Sequence, residues 1–481
     1  MNIPQKDQIV LALSDICGAK YVLTGDAEIS PYLTDWRGHY KGNAMAVARP
    51  GSTDEVSQIL SLANAHGIPI VPQGGNTSLC GGATPDATGH AIVLSLTRMD
   101  RIRALDINSR TIVVEAGCIL ENIQKEAEKT GLLFPLNFGS RGTCRIGGNL
   151  STNAGGLNVV RYGNARSLCL GLEVVVADGR VMNLLSPLKK DNTGYDLKNL
   201  FIGAEGTLGV ITAATLQLFP QPKAVATAFA GVRDINAAIE LLNRCQEASG
   251  GMVTAFELMP RSILDNVTRH FPDVSFPIAD PPPFSTLIEI TSTAAGDALP
   301  GDDGSLPLNR LMETLLAEAF EDELVTDATI AASETQREMI WAVRELTPES
   351  EIKAGPAYKS DISIPIEHMS SFYARAAKEA DDIAPGVKVF GFGHLGDGNL
   401  HYNLSIPEEG HPDFPSLYPQ FDAMLSSLLG EYAGSISAEH GIGQKKRAML
   451  QQTKDPTALD LMAAIKTALD PKGIMNPGKI L

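Results

Sequence analysis

The chain has 481 residues and a formal net charge of −17, with 44% hydrophobic and 20% charged residues. This composition is typical of a globular protein, and the length predicts more than one domain. Because an acidic surface repels polyanions and no long Lys/Arg run occurs, we expect no nucleic-acid partner. No segment reaches the roughly 18 consecutive apolar residues that a membrane span needs, so we expect no span either.

The six cysteines are scattered along the chain and form no CxxC pair. Such spacing is typical of reduced thiols in an intracellular enzyme, not of a disulfide framework or a zinc finger. The N-terminal residues include acidic side chains and lack the apolar run and cleavage site of a signal peptide. We therefore expect a cytoplasmic location.

The first predicted elements are helices and short strands in alternation. Residues 53–66 have apolar side chains at helical spacing, with Thr53 placed to cap the helix and Gly67 placed to end it. Asp178-Gly179 is a turn signal between two strand-like runs and predicts a hairpin. The other predicted elements of this part are two strands and a helix: 91–96, 111–117 and 120–130. The alternation predicts an α+β domain.

A proline-containing run at 220–222 marks the predicted end of this domain. Further strand and helix patterns beyond it predict a second α+β domain, and the C-terminal residues return to a helical pattern. The four predicted parts are a helical lead-in, a first domain, a second domain and a C-terminal segment that completes the site: 1–41, 42–222, 223–430 and 431–481.

Three segments are dense in glycine, and each also contains Ser, Thr or Asn: 72–78, 139–156 and 203–211. The first follows a strand-like run and supplies consecutive backbone N–H groups with little side-chain crowding, which suits a pyrophosphate. One such loop is more often a turn than a nucleotide site. Three of them are hard to explain as turns alone.

These segments resemble the FAD-binding domain of the vanillyl-alcohol-oxidase superfamily, the PCMH type of FAD-binding domain. The resemblance implies an α+β fold with a two-part FAD-binding domain, a substrate (cap) domain with an antiparallel sheet, and a small helical C-terminal segment. It also implies that the loop 74–78 binds the pyrophosphate. Some members attach FAD covalently through a histidine in that loop, and because Asn76 stands there we expect non-covalent FAD.

The terminal sequence NPGKIL resembles the ending of the same family and places Asn476 near the flavin. The cofactor-binding residues that the resemblance implies come from the three glycine-dense segments and this ending: Pro72, Gly74, Gly75, Asn76, Thr77, Ser78, Gly139, Ser140, Thr143, Gly147, Gly148, Asn149, Ser151, Asn153, Gly155, Gly156, Gly163, Glu205, Gly206, Gly209, Val210, Ile211 and Asn476.

One GxGxxG pattern, at 391–396, raises the alternative of NAD binding. That fingerprint requires a helix to begin at the glycines. Here the chain continues as DGNLHYNLSI, which is a strand pattern, so we interpret the match as accidental.

A second group of residues has the chemistry of a metal site. His394 and His401 flank a tight glycine turn, Asn403 shares the face of His401, and Glu439-His440 lies in a glycine-rich context further on. Two imidazoles and one carboxylate form a three-ligand divalent site that keeps positions open for a substrate. Taken alone, this set would also permit a zinc hydrolase.

The motifs GHLGDGNLH and EHG are similar to those of the D-2-hydroxyglutarate and D-lactate dehydrogenase branch of the superfamily. The resemblance implies His394, His401 and Glu439 as metal ligands and His440 as the catalytic base. Zinc is the expected ion, although Mn, Co or Fe would also suit these ligands. In the implied reaction the cation lowers the pKa of the 2-hydroxyl, His440 removes its proton, and the C2 hydrogen passes to flavin N5 as hydride.

The substrate-binding residues that the resemblance implies are Arg344, Lys359 and Asn403. Pro348 stands where the family has a threonine, and Thr347 or Ser350 would have to replace that contact. We favour D-2-hydroxyglutarate as the small 2-hydroxy acid, with a D-lactate dehydrogenase or the FAD subunit of a glycolate oxidase as alternatives. The expected electron acceptor is an electron-transfer flavoprotein or a quinone, and a homodimer is left open.

Overall fold

The computed structural model describes residues 6–481, so the part of the expected helical lead-in that falls on residues 1–5 lies outside the described residues. The described chain divides into two compact units. The first unit comprises the chain up to Gly155, then Gly163–Pro220 and Glu439–Leu481. The second unit comprises Gly156–Tyr162 and Gln221–Ala438. A search of the described residues finds no helix with the length and apolar character of a membrane span.

Helices and strands are numbered along the described chain. The helices are α1 (Lys6–Cys17), α2 (Asp26–Ile29), α3 (Thr53–His66), α4 (Leu120–Glu128), α5 (Ile146–Ser151), α6 (Val159–Tyr162), α7 (Lys198–Phe201), α8 (Ile235–Ala248), α9 (Arg261–His270), α10 (Pro307–Glu321), α11 (Glu334–Glu345), α12 (Thr347–Lys353), α13 (Met369–Ile383), α14 (Tyr418–Glu431), α15 (Arg447–Thr453) and α16 (Pro456–Leu469). The strands are β1 (Val22–Leu23), β2 (Ala46–Ala48), β3 (Ile70–Gln73), β4 (Ile92–Ser95), β5 (Ile102–Asp106), β6 (Thr111–Glu115), β7 (Leu132–Leu133), β8 (Cys169–Val176), β9 (Val181–Leu184), β10 (Gly209–Gln217), β11 (Phe219–Pro220), β12 (Ala224–Val232), β13 (Val253–Pro260), β14 (Phe284–Ser292), β15 (Val325–Ile330), β16 (Ala357–Tyr358), β17 (Ile362–Ser363), β18 (Lys388–His394) and β19 (Asn399–Ser405).

The first unit contains two main sheets. One has the order β1-β2-β4-β3, in which β2, β4 and β3 run parallel, and the other has the antiparallel order β5-β6-β10-β8-β9. The hairpin of β8 and β9 turns at Gly179, whose φ of 89° is left-handed, as the Asp-Gly signal predicts. The first glycine-dense segment begins in β3 and the third ends in β10, so each of these two segments joins one of the sheets.

Helix α3 shows how local sequence signals form an element of this unit. Its buried residues recur at helical spacing, and Gly67 ends it with a left-handed φ of 66°. The predicted cap was wrong by one residue. Ser52, not Thr53, has the extended backbone of an N-cap and accepts a hydrogen bond from Glu55 N at 3.2 Å. The Thr53 hydroxyl donates instead to the carboxylate of Glu173.

The second unit is built on one antiparallel sheet of order β15-β12-β14-β13-β18-β19-β16, with β17 pairing to β19. Helices cover this sheet, and its core includes Phe229, Met259 and Leu287 of three neighbouring strands. The GxGxxG pattern lies on β18 and on a single 3-10 turn, Leu395–Asp397, which leads into β19 and not into an α-helix. That geometry confirms the expectation that the pattern is not a dinucleotide fingerprint.

Candidate functional site

The loop 74–78 of the first unit leaves the end of β3 and packs closely against the second glycine-dense segment. A Cβ added at Gly75 would lie 2.4 Å from the carbonyl oxygen of Thr143, so any side chain there would displace backbone. Asn76 has a left-handed φ of 53°, and its amide donates to the carbonyls of Pro31 at 3.2 Å and Thr34 at 2.9 Å. The side chain of Asn76 therefore holds the loop, while the glycines allow the close approach.

Helix α5 continues this surface within the first unit. A Cβ added at Gly147 would lie 2.6 Å from the Cβ of Ala116, and one added at Gly74 would lie 3.6 Å from the backbone nitrogen of Gly148. At Gly148 an added Cβ would meet no atom within 4 Å. Glycine is thus required by packing at Gly147, whereas the space beside Gly148 is open to a ligand.

The C-terminal segment Glu439–Leu481 is tied to this surface by two side chains. Asn476 donates its amide to the carbonyls of Gly82 at 2.9 Å and Glu205 at 2.7 Å. The carboxylate of Glu205 accepts from the backbone nitrogens of Ile442 and Gly443 at 2.7 and 2.8 Å. Burial raises the pKa of Glu205, and these two N–H groups oppose that rise. Glu205 therefore positions the backbone that follows Glu439 and His440, and Asn476 holds the backbone of Glu205.

Seven buried polar atoms of this unit have no hydrogen-bond partner among the described residues, and three of them belong to α5, the residue before it and the C-terminal ending: Arg145 Nε, Asn149 Oδ1 and Asn476 Oδ1. Buried polar atoms are normally satisfied, so these indicate a polar ligand. Together with the backbone surface at Gly74 and Gly148, they fit a nucleotide cofactor with a pyrophosphate and a polar ring system, as FAD has. Arg145, two residues before Gly147, was not among the residues predicted from the sequence.

The remaining predicted cofactor residues are dispersed over both units. Asn153 has a left-handed φ of 50° and accepts from Arg166 N, and a Cβ added at Gly206 would lie 3.0 Å from Pro72 Cγ. Val210 and Ile211 are buried in β10. Gly163 belongs to the first unit, whereas Gly156 is the first residue of the second. The contacts of all these residues with a flavin stay predictions.

Glu439 and His440 lie in the first unit, where both are partly buried. A Cβ added at Gly155 would lie 2.7 Å from Glu439 Oε1, so Gly155 leaves room for this carboxylate. Gly441 follows with a left-handed φ of 76°. A side chain at position 155 would crowd Glu439, and the backbone at position 441 has the left-handed conformation that favours glycine.

In the second unit, His394 ends β18 and His401 lies on β19, and their ring centroids are 5.7 Å apart. Each ring has a carboxylate at its Nδ1. His394 Nδ1 is hydrogen-bonded to Glu257 Oε1, and His401 Nδ1 lies 3.8 Å from Asp361 Oδ1. A carboxylate hydrogen-bonded to Nδ1, as Glu257 is to His394, orients an imidazole that binds a metal ion through Nε2. The donor set therefore fits a divalent cation such as zinc.

The carboxylate of Glu257 has a second partner in this unit. Its Oε2 accepts from Arg344 Nε at 2.5 Å, and the guanidinium of Arg344 lies 4.9 Å from the ring centroid of Phe392. Burial raises the pKa of Glu257, but the charges of His394 and Arg344 outweigh burial and hold that pKa well below its ordinary range. Glu257 is therefore a buried anion bonded to two predicted site residues.

Glu351 is likewise bonded to two predicted substrate residues, Lys359 and Asn403. Its Oε2 accepts from Lys359 Nζ at 2.8 Å, and its Oε1 accepts from Asn403 Nδ2 at 2.8 Å. The Oδ1 of Asn403 accepts in turn from Ser360 N at 3.1 Å. The structure thus brings together Lys359 and Asn403 through a carboxylate that is only 1% exposed.

Pro348 lies in the first turn of α12, where proline is tolerated because no intrahelical partner is needed. The Thr347 hydroxyl donates to Val343 O at 3.2 Å, and the Ser350 hydroxyl donates to Thr347 O and accepts from Asn266 Nδ2. Both hydroxyls are buried and already bonded inside the second unit. A role for either in substrate binding stays a prediction.

The sequence interpretation missed three carboxylates of this unit that lie beside predicted site residues: Glu257, Glu351 and Asp361. A signal was present for the first, because Glu257 is the one charged residue in the buried strand VTAFELMP, and a charge in such a strand requires a partner. Glu351 and Asp361 occur in more polar surroundings and give no comparable signal.

Two protein families match this chain. Residues 221–480 match the family described as FAD linked oxidases, C-terminal domain, and residues 44–185 match the FAD binding domain family. The mitochondrial D-2-hydroxyglutarate dehydrogenase of Arabidopsis thaliana is 38% identical over 100% of this chain and 82% of its own length. The mitochondrial D-2-hydroxyglutarate dehydrogenase of Danio rerio is 40% identical over 93% of this chain and 80% of its own length. The D-2-hydroxyglutarate dehydrogenase of Xanthomonas citri pv. viticola is 36% identical over 98% of this chain and 97% of its own length.

Two solved structures share the fold. A p-cresol methylhydroxylase with substrate bound has a TM-score of 0.74 and 15% identity, covering 100% of this chain and 98% of its own. The 4-ethylphenol oxidase of Gulosibacter chungangensis has a TM-score of 0.72 and 20% identity, covering 99% and 97%. These likenesses confirm the predicted fold class and carry no argument about the substrate.

The expected cytoplasmic location is wrong, because the relatives from Arabidopsis thaliana, Bos taurus and Danio rerio are mitochondrial proteins by name. The expectation rested on scattered cysteines and the absence of a signal-peptide pattern. Neither observation separates one reducing compartment from another.

Proposed function

The chain belongs to the FAD-linked oxidases, as its motifs predicted, and we propose that it oxidises D-2-hydroxyglutarate to 2-oxoglutarate with the help of a bound divalent cation. It is an FAD-dependent D-2-hydroxy acid dehydrogenase, since its relatives of that activity match almost the whole chain. The observation that carries the proposal is the arrangement of predicted substrate and metal residues on buried carboxylates in the second unit. The family membership also removes the zinc hydrolase alternative.

Charge balance in the second unit supports a cation. The predicted site residues are bonded to, or lie beside, the carboxylates of Glu257, Glu351 and Asp361, while Arg344 and Lys359 are the two basic side chains among them. A dicarboxylate substrate would add further negative charge to a low-dielectric environment. A divalent cation offsets that charge.

We propose that His394, His401 and Glu439 hold this cation, with zinc as the expected ion and Mn, Co or Fe as other ions that suit the ligands. When bound, the cation acts as a Lewis acid that lowers the pKa of the substrate's 2-hydroxyl. The imidazole of His394 contributes Nε2, because its Nδ1 is bonded to Glu257. The assignment of Glu439 rests on the EHG motif.

The other residues of the proposed site orient the acid and move its proton. Arg344 and Lys359 bind carboxylates of the substrate, Arg344 through the planar geometry that suits bidentate contacts. Asn403 contributes an amide to the same group. His440 in its neutral form would remove the hydroxyl proton, and bound FAD would supply the acceptor for the C2 hydrogen and its electron pair. The proposed electron acceptor beyond the flavin is an electron-transfer flavoprotein or a quinone.

An anaerobic spectrum tests the proposal. Purified protein supplemented with FAD should be yellow, and the flavin absorbance should bleach on addition of D-2-hydroxyglutarate but not of its L enantiomer. Prior treatment with a chelator should slow the bleaching, and added zinc should restore it. D-lactate, D-malate and glycolate in the same assay distinguish the alternative substrates. A colourless protein, or a flavin that no D-2-hydroxy acid bleaches, would contradict the proposal.

A further inference from the structure

Helix α11 carries three side chains that contact buried carboxylates of the sheet in the second unit. Arg337, Trp341 and Arg344 are four and three residues apart, so they share one face of the helix. Arg337 Nε and Trp341 Nε1 both donate to Glu289 Oε2 at 2.9 Å. Arg344 Nε donates to Glu257 Oε2 at 2.5 Å. The helix is therefore fixed to two neighbouring strands, β14 and β13, by two carboxylates.

These two carboxylates differ in one respect. Among the described residues, the carboxylate of Glu289 accepts otherwise only from the hydroxyl of Thr227, a residue of the adjacent strand that has no place in the proposed chemistry. Glu257 uses its other oxygen for His394 Nδ1, and the two residues are direct cross-strand partners of β13 and β18. One carboxylate thus connects a helix-borne arginine with a strand-borne histidine.

We propose that Glu257 is a positioning residue that sets the orientations of Arg344 and His394 together, so that acid binding and cation binding depend on one buried carboxylate. This inference rests on the proposed function. A carboxylate at Nδ1 fixes the plane of the imidazole and keeps the proton on Nδ1, which leaves Nε2 as the ligand atom. A carboxylate at Nε fixes the guanidinium plane and directs its two terminal nitrogens toward a substrate carboxylate.

The variant E257Q tests this, because an amide of the same shape cannot serve both partners. If its oxygen accepts from Arg344, its NH2 faces His394 and selects the tautomer with the proton on Nε2, which cannot bind a metal ion. If the amide is reversed, its NH2 faces Arg344 Nε, and that donor loses its acceptor. E257D keeps the charge but is one methylene shorter, so it should show a smaller loss than E257Q.

The matched control is E289Q, which weakens the attachment of the same helix without touching His394. The purified holoprotein of each variant is compared in three measurements: zinc affinity by competition with a chromogenic chelator, kcat and KM for D-2-hydroxyglutarate at saturating zinc, and FAD content with melting temperature. We expect E257Q to lose about 10–100-fold in zinc affinity, as changes in residues that orient metal ligands usually do, and to show a raised KM. E289Q should lower the melting temperature and keep the zinc affinity.

Equal zinc affinity and equal KM in E257Q and E289Q would overturn the inference, whatever their melting temperatures. If the wild-type protein oxidises the acid but binds no zinc, the proposed metal fails, and the ratio of KM values between E257Q and E289Q decides the inference alone. If it binds zinc but oxidises no D-2-hydroxy acid, the proposed substrate fails, and the zinc affinities decide. A protein that does neither overturns both.

Discussion

The residues assigned to the cofactor in the first unit and those assigned to the substrate in the second are of opposite kinds. In the first unit they are mainly glycines and small polar residues, and close packing decides their identity, as at Gly75 against Thr143. In the second they are charged or amide side chains held on buried carboxylates, as Arg344 is on Glu257 and Asn403 is on Glu351.

This difference predicts how each unit fails. An added side chain disrupts a binding surface made of backbone, because the neighbouring carbonyl groups are closely packed and move only at a large cost in free energy. A network of buried charges is destroyed by a change of charge or of donor number, even when the volume is kept. Substitutions in the first unit should therefore report on size, and those in the second on charge and geometry.

The largest expected effect belongs to an exception, because His440 is a chemically active side chain in the glycine-rich unit. His440→Ala should lower the rate of flavin reduction by roughly 10²–10⁴-fold, the usual contribution of a general base. FAD content should stay at the wild-type level, since no backbone is displaced. Single-turnover reduction under anaerobic conditions measures the rate directly.

The control for this variant is His90→Ala, an exposed histidine of the same unit. It should leave the reduction rate unchanged. A His440→Ala protein that reduces its flavin as fast as His90→Ala would remove His440 from the role of base and move the search to other groups.

Arg344→Lys tests the charge network of the second unit at constant charge. A lysine has no planar group and cannot keep both the bond to Glu257 and a two-point contact with a carboxylate. Loss of one charged hydrogen bond costs about 1.5–3 kcal/mol, so KM should rise by about 10–100-fold with a smaller change in kcat. Arg337→Lys, on the same face of α11, should keep the wild-type KM. Equal KM values in the two variants would show that Arg344 only holds the helix.

Gly75→Ala tests the opposite principle in the first unit. The added Cβ would lie 2.4 Å from Thr143 O, so the loop 74–78 must shift, and FAD content per chain should fall, as read from the flavin absorbance. The control is Gly430→Ala in α14 of the second unit, where an added Cβ would have no neighbouring atom within 4 Å. There alanine should stabilise the helix by up to about 1 kcal/mol and leave FAD content unchanged.

Gly148→Ala sharpens this test, because the added Cβ meets no protein atom. If FAD content falls without a change in the melting temperature of the apoprotein, the ligand itself occupies that space. Full FAD content in Gly148→Ala would place the flavin elsewhere.

The same contrast explains what the sequence could predict. Helix α3 was predicted with its observed bounds, and the turn between β18 and β19 was predicted from residues close together in the chain. Glycine-rich segments are likewise local signals. The partners of the second unit are not local, since Glu257 lies 137 residues before His394 and 87 before Arg344. Their contact depends on the pairing of β13 with β18, and no short-range pattern reveals such a register.

The smallest expected effects come from removing a serine N-cap, which one helix in each unit has. Ser52 caps α3 in the first unit and Ser333 caps α11 in the second, and each hydroxyl accepts from a backbone nitrogen three residues on. Ser52→Ala should lower the free energy of unfolding by about 1 kcal/mol, measured by denaturant titration. Ser333→Ala should lose less, because α11 is also fixed by Arg337, Trp341 and Arg344 to two buried carboxylates, so its first turn contributes less to holding it. A larger loss in Ser333→Ala would mean that the cap, not the carboxylates, determines how firmly the helix carrying Arg344 is held.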